Sequence, residues 1–127
     1  MAGLDHFLVL TDDIDATRDF WCAALGLEVG ERPPLEFPGY WLYAGAVPCV
    51  HVAERAAFDA HSERIGIPAA SGPVEHVAFK AEDYDGLVAR LRDGDIDAAP
   101  NQAPGMRQLF VEDPNGVKIE INVKEPS

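Results

Sequence analysis

Three of the chain's four histidines lie in short apolar runs of β character. His6 sits in Leu4-Asp-His-Phe-Leu-Val-Leu10, His51 in Cys49-Val-His-Val-Ala-Glu54, and His76 in Glu75-His-Val-Ala-Phe-Lys80. Glu120 is set in the same way within Val117-Lys-Ile-Glu-Ile-Asn-Val123. Successive side chains of a strand point to opposite faces, so the apolar neighbours take one face and each imidazole or carboxylate takes the other. Imidazole nitrogens with one carboxylate form a donor set for a divalent first-row cation such as Fe2+, Zn2+, Ni2+ or Mn2+. Burying an unpaired Glu120 between Ile119 and Ile121 is costly, and a bound cation offsets that cost. His6, His76 and Glu120 are therefore the expected metal ligands, leaving open positions for water or substrate. His51 is read as a fourth ligand, as an unligated base, or as a donor that orients a bound oxygen. His61, in an Ala-rich stretch, is read as solvated surface.

These groups are far apart in sequence, so the elements around them must gather them. A strand over residues 4–10 is followed by Asp12 and Asp13, which suit a helix N-cap. Ile14, Thr17, Phe20, Trp21, Ala24 and Leu25 then recur at helical spacing, and Gly26 stands where a left-handed cap residue belongs. Strands are expected over 27–32, 40–45 and 49–54, the first of them stopped by Pro33-Pro34. After an Ala-rich helix and linker over 55–73, the order returns: a strand over 75–80, a helix capped by Asp83 and ended by Gly94, and strands over 96–101, 107–112 and 117–123. Asp113-Pro-Asn-Gly116 has tight-turn chemistry.

Both halves read β-α-β-β-β. An offset of about 70 positions aligns Asp5-His6-Phe7 with Glu75-His76-Val77, and one residue less aligns Val50-His51-Val52 with Ile119-Glu120-Ile121. The expected architecture is α+β. Two βαβββ modules, over about 3–54 and 74–123 of a single 1–127 domain, form a curved eight-stranded half-barrel around the metal, with helices outside. A pseudo-two-fold between the modules brings the four polar groups towards one point. The same alternation puts Trp41, Tyr43, Gln108 and Phe110 on the concave wall as a substrate pocket. Phe37 and Tyr40 are read as a lip, and Arg107 as a partner for a substrate carboxylate.

Composition narrows the partners. With 22 acidic and 10 basic side chains the formal charge is −12. Such a surface repels phosphate backbones and anionic lipid, which disfavours nucleic acid and membrane surfaces. No apolar run reaches the ~20 residues of a membrane span, and Met-Ala-Gly-Leu-Asp-His lacks the features of a signal peptide. Cys22 and Cys49 fit no metal or redox spacing, so two free thiols in a reducing cytoplasm are expected.

The chain resembles the vicinal oxygen chelate superfamily of glyoxalase I, extradiol dioxygenases, epimerases, fosfomycin-resistance thiol transferases and bleomycin-resistance proteins. The resemblance rests on Leu4-Asp-His-Phe-Leu-Val-Leu10, the Asp-Phe-Trp helix ending Ala-Leu-Gly-Leu, Glu75-His-Val-Ala-Phe, and Leu109-Phe-Val-Glu-Asp-Pro-Asn-Gly-Val-Lys-Ile-Glu-Ile121. It implies metal ligands at His6, His76 and Glu120, with His51 at the remaining strand position, and a substrate that chelates the metal through two neighbouring oxygens. Glyoxalase I enzymes usually carry a carboxylate where this chain has His51, whereas extradiol dioxygenases use two histidines and a carboxylate. The reading leans to an extradiol-type dioxygenase with Fe2+. The alternatives are a lyase, isomerase or thiol transferase using a redox-inert metal, with His51 as base, and a non-catalytic binding protein of the resistance type. Members of this size are usually homodimers, and the site can close within one chain or between two.

Overall fold

The computed structural model describes residues 4–66 and 74–125. The first module runs β1 (Phe7–Thr11), α1 (Ile14–Leu25), β2 (Glu28–Gly30), β3 (Gly39–Ala44) and β4 (Val47–Glu54). The helix α2 (Arg55–Ile65) leads away from β4, and the rest of the expected linker lies outside the described residues. The second module runs β5 (His76–Ala81), α3 (Tyr84–Asp93), β6 (Ala99–Ala103), β7 (Met106–Glu112) and β8 (Lys118–Lys124). No helix among the described residues is long and apolar enough to cross a membrane.

Local chemistry sets these boundaries. Asp13 accepts a hydrogen bond from the Ala16 amide at 3.0 Å and opens α1, a contact worth about 1 kcal/mol. Asp83 does the same for α3 through the Gly86 amide at 3.1 Å. Gly26 ends α1 in the left-handed region, φ 67°, donating to the Cys22 carbonyl. The end of α3 differs from expectation. Gly94 keeps a negative φ, and Asp95 takes the left-handed conformation at φ 55°, which Asp tolerates better than most residues. That turn docks Ile96 against the core and delays the strand expected at 96–101 to Ala99–Ala103. The strand expected over 27–32 shortens to Glu28–Gly30, an exposed edge paired only with β3.

The internal repeat is visible in the strand register. Each module forms a four-stranded mixed sheet, in the orders β1-β4-β3-β2 and β5-β8-β7-β6. The first strand lies parallel to the last in both, with Leu8 opposite His51 and Ala78 opposite Glu120. Trp41 faces His51 as Phe110 faces Glu120. The βαβββ pattern and the α+β class are as expected, but the eight strands make two ladders rather than one continuous sheet. Side chains join them: Phe7 of β1 meets Phe79 of β5 with ring centroids 6.1 Å apart, and Trp21 of α1 packs against both rings. Trp21, Leu42, Val50, Leu87, Ile119 and Ile121 are fully or almost fully buried in one apolar core.

Candidate metal centre

Because the first and last strands of each module are hydrogen-bonded neighbours, the four expected groups meet in two pairs. In the first module the His6 and His51 rings are stacked, with centroids 3.8 Å apart and planes 14° from parallel. Trp41 covers the other face of His51 at 4.1 Å and 10°. In the second module His76 Nε2 lies 3.9 Å from Glu120 Oε1, and the Glu120 side chain is only 18% exposed. Among the described residues no three His, Cys, Asp or Glu side chains converge on one cation position. The expectation that the four groups approach one point is therefore not met within one chain. The modules join through the faces bearing Phe7, Trp21 and Phe79, and alternation puts the histidines and Glu120 on the opposite faces.

Hydrogen bonds set the state of each imidazole. His76 Nδ1 is 2.8 Å from Glu75 Oε1, and His6 Nδ1 is 2.5 Å from Asp5 Oδ2. An ionised carboxylate only accepts, so in each ring Nδ1 carries a proton, and the tautomer this selects for a neutral imidazole is the one with its lone pair on Nε2. Glu75 also accepts from Lys118. Lys118 first, and His76 second, hold the Glu75 carboxyl below the usual carboxylate range. His51 has the reverse arrangement. Its Nε2 donates to the Pro48 carbonyl at 3.1 Å, leaving Nδ1 with the lone pair. Burial pushes the His51 pKa down, with His6 beside it adding to the effect.

The donor set fits a divalent cation only in part of each face. His76 Nε2 and Glu120 Oε1 are within reach of one ion whose bonds to N and O are about 2.0–2.2 Å. His6 and His51 cannot bind one ion together while stacked. A nitrogen lone pair lies in its ring plane, and two stacked rings only 14° from parallel, with centroids 3.8 Å apart, direct their lone pairs to no common nearby point. A cation using His6 and the second-module pair leaves His51 outside its coordination.

The sequence-read pocket wall is divided in the same way. Trp41 and Tyr43 line a shallow cleft of about 420 Å3 with Glu31, Arg32 and Pro33. Phe110 lines a different cleft, of about 410 Å3, with Lys118 and Glu112. Gln108 is engaged by neighbouring amides rather than open to a ligand. Tyr40 is pinned to α1, donating to Asp15 at 2.5 Å and accepting from Arg18 at 2.8 Å, so it does not form a lip. Phe37 packs edge-on against Phe58. Arg107 stacks on Tyr84 at 3.8 Å, away from the expected carboxylate role. His61 is not solvated surface: it is 22% exposed, bonded to Glu36 and set against Phe37. Asp5 and Glu75 were missed as partners, although each precedes its histidine at matched positions of the repeat.

A family model described as the Glyoxalase/Bleomycin resistance protein/Dioxygenase superfamily matches residues 3–121. The chain belongs to this superfamily. No curated protein matches it. Among solved structures of the superfamily fold, a lactoylglutathione lyase from Agrobacterium tumefaciens is 18% identical, with TM-score 0.71, covering 97% of this chain and 94% of the other. The fosfomycin resistance protein FosX of Listeria monocytogenes is 14% identical, with TM-score 0.69 and coverages of 98% and 95%. TnmS3, an antibiotic binding protein from Streptomyces sp. CB03234, is 19% identical, with TM-score 0.69 and 98% coverage of both chains. At these identities the likeness speaks for the fold. Relatives of this shape include lyases, resistance proteins and binding proteins, so the superfamily by itself does not choose among them.

Proposed function

We propose that this chain is a metal-dependent enzyme acting on a small substrate chelated through two neighbouring oxygens, with extradiol-type dioxygenation as its chemistry. One observation carries the reading: His76 Nε2 and Glu120 Oε1 lie 3.9 Å apart, an imidazole nitrogen and a carboxylate oxygen within reach of one cation. His6 completes a two-histidine, one-carboxylate set, the ligand type of non-haem Fe2+ oxygenases. A bound ferrous ion supplies a Lewis-acidic centre with open positions for substrate and dioxygen. The chain supplies the rest. Phe110, the register partner of Glu120, offers a flat wall to a ring, and His51 Nδ1 offers a neutral base for a hydroxyl proton.

Since His6, just before β1, and the His76–Glu120 pair lie on faces turned away from the Phe7–Phe79 contact between the modules, the site closes between two copies of the chain in a homodimer. Cys22 and Cys49 are both free, consistent with a cytoplasmic protein. The test is elemental analysis of protein purified without oxygen, for wild type and His51→Ala, followed by oxygen uptake with catechols. Iron in both proteins and catechol-dependent uptake support this reading. Zinc or nickel without oxygen demand assigns a lyase, isomerase or thiol transferase instead. Trace metal in wild type assigns a binding protein.

A further inference from the structure

We infer that Asn122 and Gln108 are positioning residues that aim the Glu120 carboxylate through a one-way relay of side-chain amides. The inference rests on the metal reading of Glu120. Asn122 Nδ2 donates to Glu120 Oε2 at 2.9 Å, Gln108 Nε2 donates to Asn122 Oδ1 at 3.0 Å, and Asn101 Nδ2 donates to Gln108 Oε1 at 2.7 Å. The relay crosses the sheet from β6 through β7 to β8, along the register pairs Asn101 with Gln108 and Gln108 with Asn122.

Its direction is dictated by the charged end. An ionised carboxylate only accepts, so Asn122 must turn its NH2 towards Glu120. Its carbonyl oxygen then accepts from Gln108, whose own oxygen accepts from Asn101. Oε2 is thereby occupied, and Oε1 is the oxygen left facing His76. Side-chain groups that hold a ligand in this manner typically tune metal affinity by 10–100-fold.

The repeat provides an internal control. The register pair Gln108 with Asn122 corresponds in the first module to Gly39 with Ala53, just as Phe110 with Glu120 corresponds to Trp41 with His51. The first module places an imidazole on that strand and has no amide beside it. The amides accompany only the carboxylate, so they are not a feature of the sheet itself.

The experiment is calorimetric titration of Zn2+ into metal-free wild type, Asn122→Ala, Gln108→Met, Gln108→Glu and Glu120→Ala, with melting temperatures of each metal-free protein. A carboxylate at position 108 can only accept, so it turns the Asn122 amide round and points its oxygen at Glu120. The expected result is a loss of Zn2+ affinity of about tenfold or more for Asn122→Ala and Gln108→Glu. A smaller loss is expected for Gln108→Met, with melting temperatures close to wild type. Amides that merely brace the sheet lower the melting temperatures and leave affinity unchanged, and that pattern overturns the inference.

Equal Zn2+ binding by wild type and Glu120→Ala overturns the metal reading instead. The relay then stands or falls on side-chain amide resonances of the metal-free protein. Those of Asn122, Gln108 and Asn101 shift together on Glu120→Ala if the relay exists, and only noise-level changes refute it.

Discussion

Trp21 Nε1 donates to Asp113 Oδ2 at 3.0 Å, joining α1 of the first module to the turn before β8 across 92 positions of sequence. Asp113 is 4% exposed, and no cationic side chain pairs with it among the described residues. Its charge is met by hydrogen bonds. Oδ1 accepts from the Asn115 and Val117 amides, each at 2.8 Å, and Oδ2 also accepts from Asn115 Nδ2 at 3.2 Å. Asn115 reaches on to the buried Thr17 hydroxyl at 2.9 Å. The Asp-Pro-Asn-Gly turn thus holds the two modules together. Asp113→Ala strands several buried donors and is expected to cost on the order of 3 kcal/mol in chemical denaturation. A change below about 1 kcal/mol would show that the turn does not hold the modules.

Gly39 opens β3 at a place with no room for a side chain. A Cβ there would sit 2.1 Å from the Val52 carbonyl oxygen, a backbone atom that cannot swing away. Gly39→Ala is expected to destabilise the protein by about 2 kcal/mol through displacement of β3 from β4. The check is the denaturation midpoint, with an unchanged midpoint contradicting the close approach.

His51 carries a pH dependence whose sign follows from its surroundings. Burial and the neighbouring His6 lower its pKa from 6.5, so between the folded pKa and about 6.5 the unfolded chain binds the extra proton. Its contribution to stability is lost as pH falls through that window and is regained above it. Melting temperature is therefore expected to fall more steeply with acidification in wild type than in His51→Gln. The comparison is of slopes, because the substitution also removes the ring stack with Trp41. Parallel slopes would contradict a depressed His51.

The sequence carried the elements better than their assembly. The span of α1 is legible because Asp13, its apolar stripe and Gly26 are local signals that agree. The faces of β4 and β8 are legible because alternation leaves His51 and Glu120 on the side opposite buried Val50 and Ile119. The end of α3 is not, because whether Gly94 or Asp95 takes the positive φ depends on how Ile96 docks. Nor is the pairing of groups. Repeat symmetry says that His6 matches His76 and His51 matches Glu120, but not which face of each module is used to join them. That choice is made by Phe7, Trp21 and Phe79, whose aromatic contact turns the polar faces apart. The amide relay was half visible: Glu120 and Asn122 share a face by alternation, whereas Gln108 joins them only through the β7–β8 register.

The central claim, a site built from His6 of one copy with His76 and Glu120 of another, is tested most directly by mixing two broken chains. His6→Ala and Glu120→Ala are each expected to lose tight metal binding as homodimers. In a mixed dimer one site receives both substitutions and the other receives neither. Co-expression of the two variants is therefore expected to restore metal binding in about a quarter of the sites. Metal content no higher than in either variant alone would contradict a site shared between copies.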